Sequence, residues 1–263
     1  LGWAVIITSR QNSLVRSIRK LHQRKYRQGQ LLLEGTHLLQ EALAAGYRFS
    51  VVCYTGSWQA KQSSAFWQQV LHSSDRAVEV TEEILAALCT TTTPDGVVAV
   101  ADYRSPPTLP LKRLGLCLIT LQDPGNLGTI IRTAAAVGVE GLLLTRDCVD
   151  ITHPKVLRAS AGQWFRLPMQ TVTDALATLK TYQAQGWQVV VTSPTAPLPY
   201  WQADFRQPTL LVMGNEGQGL PPAYHDSRFT ALRIPQEPNV ESLNVAIATA
   251  VLLYEVYRQR WLD

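Results

Sequence analysis

Residues 209–222 read TLLVMGNEGQGLPP. An apolar run of strand length that stops at glycines is the pattern of a buried strand delivering a loop to a site, since glycine tolerates positive φ and lets a ligand approach the backbone. Loops of this kind that cradle phosphates carry a lysine, whereas the only charge here is Glu216. A carboxylate repels phosphate and favours a cation or a hydroxyl-rich group, so a nucleotide-type phosphate loop is excluded on electrostatics. GxGxxG is absent as well, which argues against a dinucleotide site. In isolation, GNEGQGL could still be a structural turn.

Outward from this stretch, GLCLITL (115–121), EGLLLT (140–145), QVVVTS (188–193) and TALRI (230–234) are further short apolar runs, most of them separated by helical patterns. Such alternation implies an α/β fold with a mostly parallel sheet covered on both faces. Upstream, LLLEG (31–35), SVVCY (50–54) and VVAVADY (97–103) alternate with helical stretches such as 36–45, the pattern of a second, smaller α/β unit. Between the two, SPPTLP (105–110) holds the backbone extended and forbids helix. The expected organisation is residues 1–104, a linker at 105–112, and residues 113–263, in keeping with a length of 263 residues.

Hydrophobic residues make up 46% and charged residues 17%, which is globular rather than disordered. No apolar run is long enough for a membrane span, and the opening LGWAVII lacks the preceding basic segment of a secretory leader. Cysteines at 53, 89, 117 and 148 form no CxxC and have no His at ligand spacing, so neither a metal site nor a disulfide framework is expected, and a reducing cytoplasm fits.

The net charge of +4 is modest but unevenly placed: Arg10, Arg16, Arg19, Lys20, Arg24, Lys25 and Arg27 precede the first acid, Glu34. With Leu14, Ile18 and Leu21 buried at helical spacing, Arg16, Arg19, Lys20 and Arg27 would face outward. A basic run without interleaved acids favours contact with a polyanion over a merely solvated helix.

In an open parallel sheet, ligands sit beyond the carboxyl ends of the strands, which directs attention to three loops. The first, LQDPGNLGTIIRTAAAVG (121–138), turns into a helix with Asn126 as its natural cap and Ala134–Ala136 as a thin packing side. Arg132, one turn after Gly128, would share a face with the open helix N-terminus, an anion-favouring position. The second is GNEGQGL. The third, RIPQEPNVESLNVAIATAVLLYE (233–255), leads into a long helix whose expected buried stripe is Leu243, Ala246, Ile247, Ala250, Val251 and Tyr254, with Ser242 or Asn244 as cap.

Together, NLGTIIRTA, GNEGQGL and ESLNVAIA, with LRASAG (157–162) between them, resemble the SpoU (TrmH) family of RNA ribose 2′-O-methyltransferases in order and separation. ITSRQNSLVRSIRKL, KYRQGQLLLEG and TPDGVVAV resemble the ribosomal-protein-like substrate domain of members that act on large-subunit ribosomal RNA. The resemblance implies a trefoil-knotted C-terminal domain, a homodimer through that domain, and an S-adenosylmethionine pocket, with no metal. It further implies cofactor contacts at Thr192, Met213, Gly214, Gly217, Ile234, Pro235 and Leu243. Arg132 takes the central catalytic role, with Asn126, Glu216, Ser242 and Asn244 as partners. RNA contacts fall to the basic run and Arg158. A sulfonium donor is a cation, which suits a glycine loop bearing Glu216. Where the family most often reads I-P-M-x-G, this chain has Ile234-Pro235-Gln236-Glu237-Pro238, a departure that bears on cofactor affinity. It also motivates the alternative of a non-catalytic RNA-binding or ribosome-assembly protein on the same scaffold.

Overall fold

A computed structural model describes residues 6–103 and 108–261, the side chain of Trp261 excepted. Most of the apolar opening stretch and the first prolines of SPPTLP lie outside the described residues. The chain divides into two compact units, and the division does not follow sequence order: Asp150–Phe165 belongs with the first unit, and the segments flanking it belong with the second.

The first unit holds strands β1 (Gln30–Glu34), β2 (Phe49–Tyr54), β3 (Ala77–Glu79) and β4 (Val97–Asp102) in the order β1-β4-β2-β3, with β4 antiparallel to both neighbours and β3 parallel to β2. Helices α1 (Ser13–Lys20), α2 (Thr36–Ala44), α3 (Gly56–Gln59), α4 (Ser64–His72) and α5 (Glu82–Leu88) surround it. Asn12 caps α1, its side chain accepting from Leu14 N at 2.9 Å, while Arg19 and Lys20 sit at the end where the helix dipole favours cations. The buried stripe of α1 is Val15, Ile18 and Leu21, with Leu14 only partly packed. Both sets have helical spacing, so the pattern alone did not choose between them.

Arg27 overturns the expectation that it faces outward. It is 3% exposed, and its guanidinium donates to Leu21 O (2.8 Å), His22 O (3.0 Å), Thr152 Oγ1 (3.2 Å) and Asp150 Oδ2 (2.6 Å). A buried guanidinium needs such partners. Asp150 and Thr152 lie more than a hundred positions away in sequence, so no local pattern could have revealed them.

The second unit contains β5 (Leu114–Leu118), α6 (Pro124–Ala136) and β6 (Gly141–Thr145); the chain then passes through the first unit's Pro154–Ala159 helix, α7. It returns for β7 (Met169–Val172), α8 (Ala175–Ala184), β8 (Gln188–Thr192), β9 (Leu198–Pro199), β10 (Thr209–Met213), β11 (Thr230–Arg233) and α9 (Val245–Trp261). Among the described residues these strands form a seven-stranded sheet, β7-β6-β5-β10-β8-β11-β9, in which every pairing is parallel. The TLLVM run is β10, buried at all five positions. It lies between β5 and β8, where the direction of winding changes, and this is where a parallel sheet opens a crevice at its carboxyl edge.

Helix α9 corrects the expected stripe. Val245, Ala246, Thr249, Leu252, Leu253 and Val256 are buried, while Ile247 and Tyr254 are 53% and 54% exposed. VAIATAVLLYEVY is apolar on nearly every side, so its periodicity cannot say which face the core takes. Thr249 satisfies its buried hydroxyl on Val245 O at 2.7 Å. All four cysteines are free and buried, and burial pushes the Cys53 and Cys89 thiols up to about 12, so thiolate chemistry is disfavoured.

Candidate active site

Four segments meet beyond the carboxyl ends of β5, β8, β10 and β11. In the loop after β10, Asn215 and Gly219 exchange backbone hydrogen bonds at 3.0 Å in both directions. The Asn215 side chain braces the tip, its Oδ1 accepting from Gly217 N (2.9 Å) and Gln218 N (3.1 Å). Its Nδ2 donates to Thr120 O at 2.8 Å. Gly214 is required by space: an added Cβ would lie 2.3–2.5 Å from Gly219 C, Gly219 O and Leu220 N, all backbone atoms that no rotamer change can move. Gly219 itself has φ +66°.

This brace projects Glu216 toward the segment after β5. Its carboxylate accepts from Asp123 N (3.0 Å), Gln122 N (3.3 Å) and Asn126 Nδ2 (3.2 Å). Burial pushes the Glu216 carboxyl up, but these donors outweigh it and hold the group below the ordinary carboxylate range. Asp123, not Asn126, is the cap of α6; its Oδ1 accepts from Asn126 N at 2.8 Å. Two corrections follow. Asp123 Oδ1 holds the Asn126 N–H of α6 and the Glu216 carboxylate lies on the N–H groups of Gln122 and Asp123 just ahead of it, so negative charge already stands at this helix end and it is not an open anion site beside Arg132. Asn126, released from capping, has its side chain free for other work.

That work is a relay of amides. Asn244 caps α9, its Oδ1 accepting from Ala246 N (2.9 Å) and Ile247 N (3.2 Å). The oxygen being spent on helix N–H groups, Nδ2 must face outward, and it donates to Asn126 Oδ1 at 3.0 Å. Asn126 in turn presents Nδ2 to Glu216. Chemistry at the two ends, donors at one and a carboxylate at the other, dictates both amide orientations.

Beside the relay lies a cavity of about 530 Å³, within the size range of small-molecule sites. Thr192, Met213, Gly214, Gly217, Ile234 and Leu243 line it, as do Glu216 and Ser242; Pro235 does not. Ser242 is exposed, and its hydroxyl has no partner among the described residues. Arg132 is not on the cavity wall. It is exposed on α6, six residues after Asn126 and thus about 120° round the helix, and among the described residues it has neither hydrogen bond nor ion pair. Gln236 lines the cavity from the unusual Ile234–Pro238 stretch. Asn215, His225 and Glu241 also contribute walls that the sequence reading did not assign. Of these, Asn215 carried a signal: an Asn two residues before a glycine, just after a strand, is an Asx-turn pattern.

Among the proposed RNA contacts, Arg16, Arg19, Lys20, Arg24 and Lys25 are exposed. Arg10 pairs with Glu83 at 3.1 Å on the surface. Arg158 is committed within the first unit, donating to Glu34 Oε2 (2.7 Å) and Thr90 Oγ1 (2.8 Å). Among the described residues, no group of His, Cys, Asp and Glu could hold a metal ion, and no helix is long and apolar enough to cross a membrane.

A parallel α/β unit with a braced glycine loop, an Asn–Asn–Glu relay and a cavity at its switch point is a small-molecule site, without the lysine-bearing loop of a nucleotide-hydrolysing one. Residues 113–254 match the SpoU rRNA Methylase family, and residues 12–99 match the MRM3-like substrate binding domain. The chain belongs to the SpoU rRNA methylase family. It is 51% identical over 261 residues to an uncharacterized tRNA/rRNA methyltransferase of Synechocystis sp., covering 97% of this chain and 94% of that one. It is 30% identical to the 23S rRNA (guanosine(2553)-2′-O)-methyltransferase RlmP of Bacillus subtilis, covering 95% and 98%. The AdoMet-bound rRNA methyltransferase of Sinorhizobium meliloti superposes with a TM-score of 0.85 at 31% identity, covering 98% of each chain.

Proposed function

We propose that the protein transfers a methyl group from S-adenosylmethionine to a ribose 2′-hydroxyl of large-subunit ribosomal RNA. The observation that carries this reading is the fixed relay Asn244–Asn126–Glu216 beside a cavity whose walls include two carboxylates, Glu216 and Glu241, against one cation, Arg233, whose guanidinium is engaged by the Ala196 and Pro197 carbonyls. These residues fit a cationic donor: the volume suffices, Gly214 lets the loop close on the Gly219–Leu220 backbone, and Thr192, Met213, Gly217, Ile234 and Leu243 supply the remaining wall. When bound, S-adenosylmethionine supplies an electrophilic methyl group on a sulfonium. The relatives' names, which specify 23S rRNA and the 2′-oxygen, support the substrate.

The chain's own residues then have separable tasks. Arg132, with no hydrogen bond or ion pair among the described residues, orients an RNA phosphate through its planar fork of donors and stabilises the developing alkoxide. Glu216, with its carboxyl lowered and its oxygens engaged by N–H groups, is a poor proton acceptor, so the 2′-hydroxyl proton leaves to an RNA phosphate oxygen or to water. The free Ser242 hydroxyl offers a hydrogen bond to the ribose, while Asn126 and Asn244 keep the two loops at fixed separation. Residues 113–263, apart from the Asp150–Phe165 segment that packs with the first unit, act as the methyltransferase domain and 1–104 as the RNA-binding domain, joined at 105–112, in the cytoplasm where ribosomes mature.

The same reading includes a trefoil-knotted path through the second unit and a homodimer. Ile247 and Tyr254 lie two turns apart on one exposed face of α9, the helix packed against α6. A second copy covering this apolar face would bring Arg132 of α6 to a subunit boundary. Incubation of the purified protein with methyl-labelled S-adenosylmethionine and unmodified ribosomal RNA tests the reaction. The expected label survives in alkali-stable dinucleotides, the signature of a blocked 2′-oxygen; label on a base, or none, would contradict it.

A further inference from the structure

Between α1 and β1 the chain forms a short helical turn, Arg24–Tyr26, that displays cations and an aromatic ring together. Tyr26 is 43% exposed, a large share for a tyrosine with no burial to explain its placement. The Lys25 ammonium stands 4.9 Å from its ring centroid and that of Lys20 5.7 Å. Arg16, Arg19 and Arg24 are exposed nearby in sequence, and no acid occurs before Glu34.

The turn is also held rigidly. The Arg27 guanidinium clamps the carbonyls of Leu21 and His22 from inside, and is itself fixed by Asp150 and Thr152. His22 Nε2 bonds to Leu88 O at 2.8 Å, tying the same loop to the end of α5. A loop meant only to stay soluble needs no such internal anchorage. A loop that offers a flat π-face among cations benefits from it, because the ordering cost is met before the ligand arrives.

We infer that Tyr26 is a stacking platform for one unpaired RNA base, with Lys20 and Lys25 contacting the phosphates that flank it. This rests on the proposal that RNA is the substrate and adds to it a particular mode of capture: the residue 20–26 turn recognises single-stranded RNA, not duplex. A base stacking on Tyr26 displaces the ammoniums from over its ring, and their flexible stems carry them to the flanking phosphates, so the same two lysines serve the free and the bound state. Base–aromatic stacking tolerates sequence, so the platform orients a loop nucleotide without choosing its identity.

The experiment uses the full-length protein and fluorescein-labelled 12-nucleotide single-stranded and duplex RNAs, with binding followed by anisotropy over a range of salt. For the single strand, Tyr26→Ala should weaken binding about tenfold or more, while Tyr26→Phe stays within about twofold of wild type. Duplex binding should change little in either variant. In Tyr26→Ala the slope of log Kd against log salt should be unchanged, whereas Lys20→Gln and Lys25→Gln should each reduce it by about 0.7. Circular dichroism should be the same for all variants, since Tyr26 is exposed. Equal binding by wild type and Tyr26→Ala, or a Tyr26→Phe variant as weak as Tyr26→Ala, would overturn the platform and leave the RNA reading standing. Failure of the wild-type protein to bind either RNA would overturn both.

Discussion

Removing the Arg27 guanidinium should destabilise the first unit in a way that depends on pH with a definite sign. The side chains of Arg27 and Asp150 are 2% and 14% exposed and meet at 2.6 Å. Arg27→Ala leaves Asp150 Oδ2 and the carbonyls of Leu21 and His22 without a donor. Breaking a buried pair from one side costs about 3–5 kcal/mol. Because Thr152 N and Oγ1 still serve Asp150 Oδ1, at 2.9 and 2.8 Å, the low end applies, about 3 kcal/mol or roughly a hundredfold in the folded-to-unfolded ratio. Burial pushes the Asp150 carboxyl up, yet hydrogen bonds from Arg27 and Thr152 hold it below the ordinary carboxylate range. A lowered folded-state pKa gives stability that is present above the unfolded value and lost as pH falls through the folded one. In Arg27→Ala the burial remains and the main opposing partner is gone, so the carboxyl titrates higher and its penalty is relieved as pH falls. The difference between wild type and variant should therefore be largest near pH 7 and shrink toward pH 4. Urea denaturation followed by tryptophan emission reads this, since Trp58 and the buried Trp164 lie in the first unit. Arg27→Met/Asp150→Asn should recover part of the loss at pH 7. A variant within about 0.5 kcal/mol of wild type, the usual scatter for surface changes, or a loss independent of pH, would refute the reasoning.

Four further outcomes test the site. Gly214→Ala drives a Cβ into the Gly219 and Leu220 backbone and should weaken S-adenosylmethionine binding by at least about tenfold in calorimetry, the scale of a 1–3 kcal/mol overpacking strain. Asn126→Asp sets a second carboxylate against Glu216, 3.2 Å from the atom it replaces, so turnover should fall most at alkaline pH and recover partly toward acid, where the pair shares a proton. Arg132→Lys keeps the charge but loses the planar fork, and should lower kcat with RNA saturating; turnover close to wild type would remove Arg132 from its proposed role. Ile247→Glu on the exposed face of α9 should yield a monomer by light scattering, and an unchanged mass would detach that face from self-association.

How much of this could be read from residues alone varied by feature. The runs TLLVM, GLLLT and QVVVT are buried parallel strands whose apolar character declares them, and glycines marked the loop that follows β10. Strands β7 and β9 escaped notice because MQTV is mixed in polarity and Leu198–Pro199 is too short to show a period. Asn126 reads as a cap because caps are local, yet Asp123 holds that position, and the true partners of Asn126 stand 90 and 118 positions away. Arg27 reads as a surface residue because a charged side chain usually is one, and its burial is explained by the Leu21 and His22 carbonyls together with the distant Asp150 and Thr152. The crossing of Asp150–Phe165 into the first unit has no sequence signature, since α7 could have covered either sheet. The faces of α9 were undecidable in principle, every side being apolar enough to bury. The kinship, by contrast, was legible from three short motifs, because they carry the loops rather than the core.

The most direct test is a map of 2′-O-methylated positions in large-subunit ribosomal RNA from cells lacking this protein, complemented with either the wild-type chain or Arg132→Ala. One position should be unmethylated without the protein, regain full methylation with wild type, and stay unmethylated with the variant. An identical map in all three would contradict the central claim.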